Sequence, residues 1–393
     1  MTNLTLVVVT SLLTAQQPEW KAAADALEAK HKDEARVVRV TAEPSVTNAL
    51  KQLRAANPTH VAFVMRPEEV AFPTVVALKR MMRDLDDDPY DDAKWGVVTG
   101  PTAVDAKRIA SSREPREIRT ALTTTGISDD MVGGPFACFS DAYPAGEWRI
   151  RTADGTITKY ASSNDLSSAF CNAWNTIDPD LIITSGHASQ RNVEMPFSRG
   201  NIVPRNGVFQ TLPDETLIDY ASGQAKADSD RRSAPGAHRP LAAPRREKVW
   251  LAAGNCLIAD NLRPGDNMVM TALGFGKVNQ FVGYTATTWF GEIGWGTLGN
   301  FRNGMSLVDA YYAANEQLIR ELEETVTNAN GFRPVFTSAR DYDRLFIEVR
   351  RYKFAAKGPI ADQQKFVGRL WDRDATVFYG DPLQQVYLKP GNR

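Results

Sequence analysis

Two apolar runs in this chain end on residues that can do chemistry. Asp180–Leu181–Ile182–Ile183–Thr184–Ser185–Gly186 stops at His187, and Lys248–Val249–Trp250–Leu251–Ala252–Ala253–Gly254–Asn255 stops at Cys256. A thiolate is a strong nucleophile, but an unperturbed thiol with a pKa near ~8.5 is mostly protonated at neutral pH. An imidazole beside it can take up that proton or deliver one to a leaving amine. Short apolar runs bounded by turn residues mark the buried strands of a parallel sheet. In open α/β sheets, chemistry collects beyond the carboxyl ends of such strands. The pattern therefore predicts a thiol and an imidazole delivered to one rim of a sheet.

The chain that must position them has 393 residues, enough for two to three domains or one large α/β domain. Its formal charge is -1 and no basic stripe is interleaved with aromatics, so a nucleic-acid partner is not expected. Cys138, Cys171 and Cys256 are odd in number and lack CxxC spacing, which argues against a disulfide framework and a zinc site.

The first hundred residues alternate strands (4–10, 36–40, 60–64, 95–99) with helices (19–31, 46–56 with Ser45 as cap, 73–84, 102–111). Such alternation specifies a parallel sheet with right-handed crossovers. No glycine-rich phosphate loop follows the first strand, so nucleotide binding is unsupported. A second α/β set begins near Gly133: a strand at 135–140, a hairpin at 149–160 turning on Asp154–Gly155, and a helix at 164–177. The His187 and Cys256 strands follow, then a strand at 280–284, an amphipathic helix at 306–325 and a last strand at 374–379. We divide the chain into a supporting α/β part, 1–130, and a part carrying the Cys–His site, 131–393. Most of 188–247 shows no regular pattern. Residues 222–246, rich in Ala, Arg, Ser and Pro, read as a solvated surface loop, with Arg231–Arg232 and Arg245–Arg246 as alternative processing sites.

Beyond the strand at 280–284 comes an aromatic, glycine-rich loop, Tyr284 to Gly291 and Gly294–Trp295–Gly296, which reads as a pocket wall with Tyr284, Thr288 and Trp289 as lining. The acidic run 84–92 has Pro89 and Trp95 where a calcium-binding EF-hand loop has Gly and Glu. It reads as a solvated loop, with structural Ca²⁺ as the alternative. Leu4–Thr10 reads as a strand rather than a signal peptide, and no run is long enough to span a bilayer. The compartment stays open: secreted or periplasmic if a leader was trimmed, cytoplasmic otherwise. His31, His60, His238, Cys138 and Cys171 read as structural or solvated.

Taken together, Ser185–Gly186–His187–Ala188–Ser189, Leu251–Ala252–Ala253–Gly254–Asn255–Cys256, Phe281–Trp289 and Val377–Phe378–Tyr379–Gly380–Asp381–Pro382 resemble the gingipain-type cysteine peptidases of the caspase clan. The resemblance covers roughly residues 4 to 388. It implies a three-layer α/β/α fold with mainly parallel sheets and two similar Rossmann-like halves. It also implies an endopeptidase acting on protein or peptide substrates through a thioester, with no cofactor required. Cys256 would be the nucleophile and His187 the acid/base, with the backbone N–H groups of Cys256 and Ala188 holding the oxyanion. The family usually has Gly at the position of Ala188, and Ala would be strained there at positive φ. The residue that orients the His falls near Tyr143, which cannot act as a carboxylate; Asp141 is the nearest acid. Trp289 matches the tryptophan of the primary specificity pocket, and Glu147 is the candidate for selecting a basic side chain. A catalytically inactive binding scaffold and a Cys-dependent acyl transferase or amidase are the alternatives.

Overall fold

The computed structural model describes residues 4–390 except 115, 214–217, 220–223, 226–237, 262–265, 289, 335–341, 353 and 359–361. The first set of elements is β1 (Thr5–Ser11), α1 (Pro18–His31), β2 (Arg36–Ala42), α2 (Leu50–Ala56), β3 (His60–Val64), α3 (Phe72–Met82), β4 (Lys94–Val98) and α4 (Ala103–Ser111). β1, with its run of valines, is buried at every position and pairs in parallel with β2 and β3 on its two sides. The helix expected over 46–56 divides. Ser45 caps a single 3₁₀ turn, Val46–Asn48, and α2 starts afresh at Leu50.

The second set begins with β5 (Ala121–Thr123), β6 (Phe136–Phe139), the hairpin β7 (Trp148–Arg151) and β8 (Ile157–Tyr160), α5 (Ser167–Ile177) and β9 (Leu181–Thr184). The hairpin turns where Asp154–Gly155 predicts, with Gly155 at φ 86. Within the stretch expected to be irregular, described residues form a small antiparallel sheet of five strands, β10 (Ala188–Ser189), β11 (Asn192–Glu194), β12 (Asn201–Arg205), β13 (Val208–Leu212) and β14 (Arg239–Pro240), while most of the loop expected over 222–246 lies outside the described residues. Its strands are short, and polar groups such as Asn192, Asn201 and Thr211 are buried in them, which hides the period-2 signal. Arg231–Arg232 lie outside the described residues. Arg245 and Arg246 are engaged on Asp178, and Arg246 also on Asp180.

The chain continues through β15 (Lys248–Ala252), α6 (Met268–Leu273), β16 (Val278–Tyr284), α7 (Glu292–Arg302), α8 (Leu307–Thr325), α9 (Gln363–Ala375) and β17 (Thr376–Tyr379). α7 corrects the loop reading of Gly294–Trp295–Gly296, because those glycines are helical. One twelve-stranded, mostly parallel sheet results, in the order β2-β1-β3-β4-β17-β16-β15-β9-β5-β6-β7-β8. The last strand is therefore the central join. β17 runs antiparallel to β16 and meets β4 at Tyr379 opposite Val97. Helices α1 and α4 pack on each other, while α3, α7, α8 and α9 form another group, giving an α/β fold layered about the sheet. A continuous core runs from Val7 through Trp95, Tyr379, Phe281 and Trp250 to Phe139. Among the described residues, no helix is long and apolar enough to cross a membrane.

Candidate functional site

β9 and β15 are adjacent and parallel, with Leu181 opposite Val249 and Thr184 opposite Ala252. Their apolar side chains are fully buried, so the register is set by the core and both chains emerge at the same rim. Three residues past β9 stands His187, and four past β15 stands Cys256. Ala253 N–H continues the ladder onto Thr184 C=O at 2.8 Å. The residues just before the two candidates then touch: Asn255 Nδ2 donates to Gly186 C=O at 3.0 Å. β5 lies on the other side of β9, and its chain continues to β6 away from β9, so the order of connection reverses beside the histidine strand. That is where open α/β sheets form their crevices.

The histidine loop is tethered on several sides. Ser185 N–H donates to Thr124 Oγ1 at 3.1 Å, and Gln190 Nε2 reaches Asp260 Oδ2 at 3.0 Å. Gly186 sits at φ 111, a backbone state that a side chain would strain. His187 is exposed. Ala188 is buried in β10 and takes negative φ, so the strain that Ala would bear at positive φ does not arise. Glu194 N–H donates to His187 C=O at 2.9 Å. Residues 187 and 194 thus form a hydrogen-bonded pair and 188 and 193 a non-bonded one, which turns the Ala188 N–H away from β11.

Cys256 is half-buried, and its sulfur lies against the backbone of Thr288. Thr288 N–H donates to Sγ at 3.4 Å, and Sγ–H donates to Thr288 C=O at 3.3 Å. Leu257, directly after Cys256, is held at φ 60 with its N–H on Ala286 C=O, a conformation that costs of order 1–3 kcal/mol in a non-glycine residue. Gly254 allows the approach of Ser185 and of the half-exposed Trp295 indole, whose Nε1 would lie 3.4 Å from a Cβ added there. A Cβ at Gly294, in α7, would run into the Ala253 carbonyl oxygen. The Cys256 loop is thereby bracketed by Thr288 on one side and by the first turn of α7 on the other.

The other predicted residues are placed as follows. Asp141 is exposed two residues past β6, and its Oδ1 accepts the Phe197 N–H at 3.1 Å, pinning a turn in which Phe197 and Ser198 both have positive φ. Tyr143 donates its hydroxyl to Cys138 Sγ at 3.3 Å under Arg149, and burial pushes that hydroxyl above its ordinary pKa. Glu147 is half-buried at the start of the edge hairpin, with its N–H on Pro144 C=O. Tyr284 is fully buried and accepts Gly294 N–H at 2.9 Å, so it braces α7 from within and does not face an open pocket. Trp289 lies outside the described residues. Asp86, Asp88 and Asp92, all exposed, bring carboxylate oxygens within 4.8 Å of one another. Desolvation, then Asp86, pushes the Asp92 carboxyl up to about 7.

Sequence reasoning missed Thr124, Asn255 and Glu194, whereas Trp295 stands where the aromatic pocket wall is expected, though on a helix and not a loop. Glu194 is a buried carboxylate directly across the β10–β11 ladder from His187, and its Oε2 accepts the Ser198 hydroxyl at 3.1 Å. Asn255 and Thr124 carry a faint signal, as polar residues beside strand ends. Glu194 carries none, because its strand has no legible pattern. No family model matches the chain, and no curated protein matches it.

Proposed function

We propose that the chain is a cysteine peptidase with the layered fold of the caspase clan, as the likeness to gingipain-type enzymes implies. One observation carries this reading: Asn255 and Gly186, the neighbours of the thiol and the imidazole, are hydrogen-bonded across the ends of two in-register parallel strands. The Cys256 thiolate attacks the substrate carbonyl carbon, and the oxyanion that forms is held by the N–H groups of Cys256 and Ala188. The outward turn of the Ala188 N–H supports that role. His187 protonates the departing amine, the C–N bond breaks, and water then hydrolyses the thioester to regenerate the thiol. Trp295 over Gly254 offers an aromatic wall for a substrate side chain. The chemistry calls on no cofactor.

A second reading, an inactive scaffold that binds peptides, draws on Tyr143. It stands where the resemblance implies an acid, and its hydroxyl is engaged on Cys138. An acyloxymethyl ketone probe followed by mass mapping separates the two. The enzyme reading expects labelling at Cys256 that disappears in Cys256→Ala and falls in His187→Ala. A peptide library then reports cleavage and the side chain preferred before the cut. A folded protein that neither takes the probe nor cleaves any peptide rules the enzyme out.

A further inference from the structure

Asp372 lies in α9 with its side chain fully buried. Its two oxygens are each taken by a different donor: Thr288 Oγ1–H at 2.9 Å on Oδ1, and Glu292 N–H at 3.2 Å on Oδ2. Thr288 Oγ1 in turn accepts the Gly291 N–H at 3.0 Å. α7 begins after Gly291, which has no side chain to cap it, so the capping acceptor comes from another helix. Thr288 is the residue whose N–H and C=O both meet the Cys256 sulfur.

The charges nearby do not explain the carboxylate. Glu292, on α7, is of the same sign, and it takes Arg369 at 2.8 Å and Lys365 at 3.6 Å for itself. Tyr284, also buried beside it, is neutral. Among the described residues no cation pairs with Asp372. Burial pushes its carboxyl up to about 7, against the two hydrogen bonds that favour the ionised form. A buried acid without a counter-charge is costly and is retained where it serves a site.

We propose that Asp372 is a positioning residue for the Cys256 thiol: by holding the Thr288 hydroxyl and the first turn of α7, it fixes the Thr288 backbone against the sulfur. The inference rests on Cys256 being the reactive thiol, but it concerns the ionisation of that thiol and not the cleavage of any peptide. It is tested without substrate. The rate at which iodoacetamide alkylates Cys256, read by mass mapping of the peptide that carries it, is followed against pH in the full chain.

Loss of the Thr288 N–H from the thiolate raises the midpoint, so alkylation below it slows about tenfold in Asp372→Asn, whose amide turns a donor toward Glu292 N–H. Thr288→Val, which removes the hydroxyl and keeps the shape, gives the same shift, and Thr288→Ser rescues it. The double variant Asp372→Asn/Thr288→Val shifts no further than either single one. An unchanged midpoint in folded Asp372→Asn, or two shifts that add, overturns the proposal. Should Asp372→Asn fail to fold, Thr288→Val against Thr288→Ser decides it alone. Normal thiol shifts with no peptide cleavage would sink the peptidase reading and leave this one standing.

Discussion

The two ends of the sheet are built from different chemistry. At the carboxyl ends of β9 and β15, the loop bearing His187 is held by neutral hydrogen bonds, from Asn255 of the Cys256 loop to Gly186 and from Ser185 to Thr124 beyond β5. At the amino ends of the same strands, Lys248 meets Asp178 at 2.5 Å with both side chains buried. β17 runs antiparallel to its neighbour, so its last turn arrives at that charged end too. There Asp381 receives Lys30 and His31, each at 2.6 Å and all nearly inaccessible to solvent. Desolvated ion pairs are unforgiving of misplacement and so lock register. The tether that joins the two rim loops is neutral, and losing it costs less than losing one partner of a buried ion pair.

The largest expected effect lies at the charged end. Asp381→Ala leaves Lys30 buried without its partner and lowers the unfolding free energy by about 3–5 kcal/mol, measured from the denaturant midpoint. The same pair sets an acid limit. Burial alone would raise the Asp381 carboxyl, but Lys30 and then His31 more than offset it and hold the carboxyl well below the usual range. Unfolded, it titrates near ~4. Its contribution is therefore complete above that pH and is lost as pH falls below it, toward the folded value. The acid-side fall in unfolding free energy becomes shallower in Asp381→Asn. An unchanged slope would mean the pair is not what fails in acid.

At the neutral rim the effects shrink in stability and grow in reactivity. Gly294→Ala forces a methyl against the Ala253 carbonyl and costs about 1–3 kcal/mol, read as a lowered Tm. Asn255→Ala moves stability by about 1 kcal/mol or less, because its Oδ1 is buried with no partner among the described residues and removing it relieves a cost. Labelling of Cys256 by the ketone probe nevertheless falls about tenfold, since the two loops lose their bond. Equal losses of stability and labelling would erase the contrast between the ends. Smallest of all, Asp141→Ala frees one exposed N–H on Phe197 and shifts stability by about 0.5 kcal/mol or less. A collapse of labelling in that variant would instead make Asp141 the group that orients His187.

Much of the fold is legible in the residues alone. The alternation up to Ser111 can be read nearly position by position, and His60–Val64 has the bounds its pattern predicts. Strands buried on both faces and amphipathic helices declare themselves through local pattern. The strand ends before His187 and Cys256 are legible for the same reason. The small antiparallel sheet after Ala188 is not, because its short strands bury polar residues such as Asn192, whose amide donates to Asn201 on the next strand. α7 has the composition of a loop, and the need for one of its glycines, Gly294, shows only in the approach of Ala253.

By itself, the sequence determined that there would be a parallel sheet and that a thiol and an imidazole would terminate two of its strands, because periodicity and turn residues act over a few neighbours. Only tertiary structure decided that those two strands are adjacent, that the last strand of the chain joins both sets into one sheet, and that a carboxylate from α9 reaches the loop behind the sulfur. Those are contacts between residues far apart in the chain. They are chosen by how whole faces pack and by which buried polar groups find partners, and no local pattern encodes that choice.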